Sequence, residues 1–129
     1  MALPPNKVIV VVAAGPLIGT ATAALFASKG FTHVALLSRD VQKLTKTASF
    51  IIPFAKENGN SNVTLKTYAG DVSNTESLLK ALKQVEADFG VPEVVLYNAA
   101  VVRWVRIGEA TEEELVQEFK VCSSPDIQI

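Results

Sequence analysis

Four short apolar runs, Val8 to Ala13, His33 to Ser38, Val63 to Tyr68 and Val94 to Tyr97, recur along this chain, and the stretches between them carry helical spacing. That alternation limits the fold more than any other feature. A near-continuous β-branched run reads as a strand buried on both faces, and strands separated by helices join in parallel through crossovers. The expectation is an α/β fold, a doubly wound three-layer sandwich with about four parallel strands. The chain has 129 residues, 49% of them hydrophobic, which suits one compact domain and excludes disorder. Residues 1–122 are expected to form that domain, and Ser123 to Ile129, with turn chemistry and no periodicity, a loose tail.

Helix ends are marked by caps. Ser73-x-x-Glu76 reads as a capping box ahead of Leu78, Leu79, Leu82, Val85 and Phe89, with Gly90 and Pro92 as the stop. Thr111-x-x-Glu114 is a second box before Leu115, Val116 and Phe119. Asp40 suits the cap of a helix carrying Val41 and Leu44, which Pro53 must end or kink.

Val8 to Ser28 holds no charge and is long enough to span a bilayer. Gly15-Pro16 interrupts it, however, and Gly19, Thr20, Thr22 and Ser28 follow, so it divides into strand, tight turn and helix rather than a membrane span. A net charge of −1 gives no long-range attraction for nucleic acid or an anionic membrane. The single cysteine, Cys122, permits no internal disulfide and no thiolate zinc cluster, which suits a reducing, cytoplasmic setting.

The turn after the first strand reads A-A-G-P-L-I-G from Ala13 to Gly19. In a doubly wound sheet a dinucleotide sets its pyrophosphate on the N-terminus of the first helix, beyond the carboxyl ends of the strands. Such a turn needs close backbone approach, for which glycine serves. Gly15 is able to take a positive φ and Pro16 presets the next φ. The alternative is a plain strand-to-helix turn.

With the downstream F-A-S-K-G, this turn resembles the T-G-x-x-x-G-x-G of the short-chain dehydrogenase/reductase family, and A-G-P-x-I-G looks like a subtype of it. The family's last turn glycine falls on Gly19; the other two fall on Ala13 and Leu17. Ala13 adds a methyl at the strand end, while Leu17 places a branched side chain where phosphate oxygens approach. The resemblance implies a Rossmann-like fold and a weakened nucleotide site in Ala13, Gly15, Pro16, Leu17, Ile18 and Gly19.

Three more stretches carry it. V-A-L-L-S-R-D sets Ser38 and Arg39 at the second strand's end, where an acid would bind a ribose 2′-hydroxyl and an arginine accommodates a 2′-phosphate, so NADP is implied over NAD. A solvated Arg39 paired with Asp40 is the other reading. Asp71-Val72 resembles the family's D-V segment, in which the carboxylate accepts from the adenine amino group; an aspartate capping near Ser73 is the alternative. Asn98, Ala99 and Ala100 resemble the end of N-N-A-G, lining ribose and nicotinamide. Trp104, between Arg103 and Arg106, either borders the cofactor or packs on the sheet edge. The Glu109 to Glu118 acids read as a solvated face that complements a helix N-terminus.

The resemblance covers the amino-terminal half of the family fold. The family's hydride transfer uses a Tyr-x-x-x-Lys pair and a serine. Here Tyr68 and Tyr97 are followed four residues on by Val72 and Val101, and the catalytic half is expected after Ile129. The family's helical relay asparagine falls near Cys122, which reads as a small apolar helix residue rather than a nucleophile. The first functional expectation is therefore an NADP(H)-binding half of an oxidoreductase, not catalytic alone. The others are an interaction module that pairs with itself or another chain through an uncovered sheet edge, and a truncated product. A receiver or flavodoxin-like domain is disfavoured, lacking the acidic pair of the one and the hydroxyl-rich loop of the other.

Overall fold

The computed structural model describes residues 6–99, 105–106 and 108–122. Its elements run β1 (Val8–Val12), α1 (Ile18–Ser28), β2 (His33–Ser38), α2 (Val41–Thr47), α3 (Ile51–Glu57), β3 (Thr64–Ala69), α4 (Thr75–Phe89), β4 (Val94–Tyr97) and α5 (Glu112–Cys122). The strands form one parallel sheet in the order β3-β2-β1-β4, with Val10 opposite Ala35 on one side and Val95 on the other. The order reverses between β1 and β4, which makes that crevice the switch point of the sheet.

The pleat sends alternate side chains to opposite faces, and each face has its own core. Ile9, Val11, Val34 and Leu36 pack against Ala23, Ala24 and Ala27 of α1, Leu44 of α2 and Ile51 and Ala55 of α3. Val8, Val10, Val12, Ala35 and Leu37 meet Leu78, Ala81, Val85 and Phe89 of α4 on the other face. The alanine face of α1 brings that helix close to the sheet. Layers of helix, sheet and helix thus form the three-layer fold expected.

The uncharged stretch divides at Gly15-Pro16 into β1 and the 11-residue α1, and among the described residues no helix is long and apolar enough to cross a membrane. Asp40 caps α2, accepting from the Lys43 amide at 3.0 Å. Thr111 and Glu114 close the second box reciprocally, at 3.0 and 3.2 Å.

Two expectations are corrected. Asn74, not Ser73, caps α4, its side chain accepting from the Ser77 amide at 3.1 Å; Ser73 is held by Asp71 instead. Pro53 does not break a helix from within. The chain leaves α2 at Thr47 and restarts as α3, whose first turn holds Pro53 where its missing N–H leaves no intrahelical bond unmade.

Candidate functional site

The carboxyl ends of β1, β2, β3 and β4 surround a cleft of about 580 Å³, lined by Ala13, Gly15, Ser38, Arg39, Gly70, Asp71, Val72, Ser73, Asn98, Ala99, Gln117 and Val121. Eight of the residues singled out from sequence meet there. Backbone bonds fix the rim: the Asn98 amide donates to the Val12 carbonyl at 3.0 Å, Gly70 to Ser38 at 3.0 Å and Ala14 to Leu37 at 2.9 Å. Pro16, Leu17, Ile18 and Gly19 do not line the cleft wall, and Ala100, Trp104 and the 123–129 tail lie outside the described residues.

The turn itself differs from its reading in one respect. Positive φ falls on Ala13, at 58°, and not on Gly15. Position 13 directly follows β1, and its methyl sits on the one described non-glycine residue in the left-handed region. Gly15 instead leaves open space, with nothing within 4 Å of a notional Cβ. Gly19 is the close-contact residue: a Cβ there would meet the Ala14 Cα at 3.0 Å and Val11 Cγ1 at 3.3 Å.

The start of α1 is open to an anion. Leu17 occupies its cap position with no side-chain cap bond, and the first turn carries no acid. Among the described residues the amides of Ile18 and Gly19 have no acceptor, while those of Thr20 and Ala21 reach the carbonyls of Gly15 and Leu17. Unpaired amides and the helix dipole together favour phosphate. The Leu17 side chain stands 77% exposed beside them.

At the opposite wall, Asp71 Oδ1 accepts from the Ser73 hydroxyl at 2.7 Å and the Ser73 amide at 2.9 Å. Those bonds, helped by the Arg39 guanidinium and opposed by partial burial, hold the carboxyl below the usual aspartate value. Oδ2 makes no hydrogen bond among the described residues and remains able to accept. Arg39 forms no ion pair with Asp40 within 4.0 Å, so its charge is available to the cleft.

Sequence reasoning missed Gln117 and Val121. They reach the cleft because the Tyr97 hydroxyl donates to the Val121 carbonyl and draws the end of α5 onto β4. No local signal marks that contact; Tyr97 stands out only as a polar-tipped aromatic at a strand end. The other tyrosine, Tyr68, donates to Asp88 Oδ2 at 2.8 Å, and burial followed by that bond raises its pKa far above the ordinary tyrosine value. Neither tyrosine lines the cleft. Among the described residues no cluster of His, Cys, Asp and Glu is arranged to hold a metal.

An open parallel sheet with a glycine-bearing helix start after β1 and a base and an acid beyond the carboxyl ends of β2 and β3 defines a doubly wound nucleotide-binding domain. A sequence model of the short chain dehydrogenase family matches residues 7–125, and the chain belongs to that family. It is 30% identical over 116 residues to a probable tetrahydroxynaphthalene reductase of Zymoseptoria tritici, a match covering 90% of this chain and 41% of that protein. An alcohol dehydrogenase of Thermococcus sibiricus complexed with 5-hydroxy-NADP superposes with a TM-score of 0.73 at 33% identity, over 90% of this chain and 46% of the other. The NADPH-dependent 3-quinuclidinone reductase of Rhodotorula rubra gives 0.72 at 29% identity, over 91% and 42%. The chain thus spans less than half the length of these relatives.

Proposed function

We propose that this chain is the NADP(H)-binding half of a short-chain dehydrogenase/reductase, one domain over residues 1–122, and that it does not transfer hydride alone. The observation that carries the reading is convergence: Ser38, Arg39, Asp71, Val72, Asn98 and Ala99, drawn from three strand ends, meet on one cleft beside an uncapped helix start. Two similar solved structures are named for NADP or NADPH.

The residues fit the coenzyme. The Ile18 and Gly19 amides hold the pyrophosphate, and Gly19 keeps the helix close enough to the strand for them to do so. Ser38 and Arg39 receive the ribose 2′-phosphate. Asp71, with Val72 beside it, would accept from the adenine amino group, while Asn98 and Ala99 would line the ribose and nicotinamide end. When bound, the nicotinamide supplies or accepts the hydride.

Proton transfer is a different matter. Neither tyrosine lines the cleft, their hydroxyls being engaged by Asp88 and by the Val121 carbonyl, and neither is followed by a lysine four residues later. This supports a binding half whose acid, base and substrate contacts come from elsewhere. The lone thiol, Cys122, is free and exposed, which accords with a reducing, cytoplasmic location.

Titration of the purified chain with NADPH, followed by coenzyme fluorescence, tests both parts. Saturable binding without coenzyme oxidation in the presence of carbonyl compounds is expected. Absence of binding at millimolar NADPH sinks the coenzyme reading, and measurable turnover sinks the claim of dependence on other residues.

An interaction role is the second reading. It rests on β4 lying at the end of the sheet with every residue half-exposed, beside an α5 whose Leu115, Val116 and Phe119 are exposed.

A further inference from the structure

The start of α3 is apolar on the side that the core does not use. Ile51 and Ala55 are fully buried in the core between the helices and the sheet, yet Phe50, Ile52 and Phe54 stand 38 to 44% exposed, with Pro53 exposed among them. Packing explains the first pair and leaves apolar surface of the other four in water. None of them lines the nucleotide cleft.

Charge around this patch is one-sided. From Val41 to Glu57 there are three lysines, Lys43, Lys46 and Lys56, against one acid, Glu57. Lys46 and Lys56 flank the apolar residues in sequence, are exposed, and have no carboxylate within 4.0 Å among the described residues. The chain's net charge of −1 supplies no long-range pull toward an anionic surface, so any attraction comes from this local excess.

We infer that the start of α3 is a docking surface for an anionic lipid membrane, with Phe50, Ile52 and Phe54 entering the interface and Lys46 and Lys56 meeting the headgroups. Aromatic and aliphatic side chains beside lysines hold a short helix at a lipid surface without crossing it, and each lysine adds attraction to anionic lipid. The backbone suits that setting. The Phe54 amide donates to the Phe50 carbonyl at 2.9 Å and the Ile51 amide to the Ala48 carbonyl at 3.1 Å, the Ser49 hydroxyl donates to the Lys46 carbonyl at 2.9 Å, and Pro53 has no N–H to satisfy.

Charge separates this occupant from the others. A second copy seated symmetrically would bring lysines against lysines, because the same patch serves on both sides. The exposed Leu115, Val116 and Phe119 of α5 lie among four glutamates and one lysine, so an anionic surface repels that helix and accepts α3.

Co-sedimentation of the full chain with vesicles tests the inference, comparing phosphatidylcholine and phosphatidylserine in a two-to-one ratio with phosphatidylcholine alone. Binding to the mixed vesicles is expected, roughly tenfold weaker without phosphatidylserine and weaker again in added salt. Lys46→Gln and Lys56→Gln should each lower the partition coefficient on mixed vesicles roughly fivefold. Lys80→Gln, on α4 at the opposite face of the sheet, should leave it unchanged. Replacing Phe50 and Phe54 together with Ser should lower it by roughly tenfold or more. Those two rings are partly buried, so a melting curve by circular dichroism accompanies that variant; if it unfolds, the exposed lysines carry the test alone.

No binding to mixed vesicles overturns the inference, as do equal binding to both kinds of vesicle, Lys46→Gln and Lys56→Gln that bind like the unaltered chain, and an equal loss in Lys80→Gln. Pelleting without lipid that the folded Phe50 and Phe54 variant abolishes overturns it as well, by assigning the patch to contact between protein copies. The coenzyme reading stands or falls separately, on the NADPH titration.

Discussion

Ala13 carries a φ of 58° where the family's turn has glycine. An L-residue in the left-handed region costs roughly 1–2 kcal/mol, and glycine at the same position does not meet that cost. Ala13→Gly should therefore stabilise the domain by roughly 0.5–1 kcal/mol, net of the entropy glycine gains in the unfolded chain, seen as a higher urea midpoint at unchanged slope. A lower midpoint would show the turn relaxed around the methyl. Leu17 is a question of binding. Its side chain stands beside the unpaired Ile18 and Gly19 amides, and Leu17→Gly should lower the dissociation constant of NADPH by clearing their approach. An unchanged or higher constant would place the phosphates elsewhere.

Among the elements, α4 and the loop before it give Asn74 the cap that the Ser73-x-x-Glu76 spacing suggests for Ser73. Asn74 caps the helix and Ser73 ties down Asp71. Asn74→Ala should cost about 1 kcal/mol of stability with little change in coenzyme affinity, whereas Ser73→Ala should free Asp71 and affect binding more than folding. The Asp71 carboxyl has a folded pKa below its unfolded one, so its ionised form favours the native state. That contribution is complete above the unfolded value of about 3.9 and is lost as pH falls through the lower folded value. Urea midpoints collected from pH 6 down to about 2 should fall less steeply for Asp71→Asn than for the unaltered chain. Parallel curves would show that Ser73 gives Asp71 no preference for the ionised form.

The same elements show what can be read without coordinates. β2 and β4 keep the bounds their apolar runs suggest, and the Asp40 and Thr111 caps hold, because each depends on residues within a few positions of one another. The cleft residues at strand ends were legible for a topological reason: a parallel sheet must place all its carboxyl strand ends on one side. Three features were not legible. The shift of the cap from Ser73 to Asn74 is decided by Asp71 competing for Ser73. The positive φ at Ala13 rather than Gly15 occurs in a turn where Gly19 comes close to Ala14 and Val11, a tertiary contact that single-residue preference does not mark. The entry of Gln117 and Val121 into the cleft follows from a contact between β4 and α5 separated by 24 residues.

At the scale of the whole molecule, the central and edge strands of the sheet are covered unequally. β1 is fully buried, with β2 on one side and β4 on the other, whereas no residue of β4 is fully buried and its outer backbone edge meets no strand among the described residues. α5 lies beside it with Leu115, Val116 and Phe119 exposed, Phe119 by 63%, and only Val121 buried. A half-covered strand next to an apolar helix face favours association, because burying that surface is worth about 25 cal/mol per Å² of apolar area removed from water. Sedimentation of the purified chain should therefore show mass rising with concentration. Replacing both Leu115 and Phe119 with Lys should abolish that rise while shifting Tm by no more than about 2 °C, since exposed side chains away from caps contribute little to folding. If the unaltered chain stays monomeric across the accessible range, the exposed face drives no association of its own; if the double variant unfolds, α5 packs on the sheet more tightly than Val121 and Tyr97 alone imply.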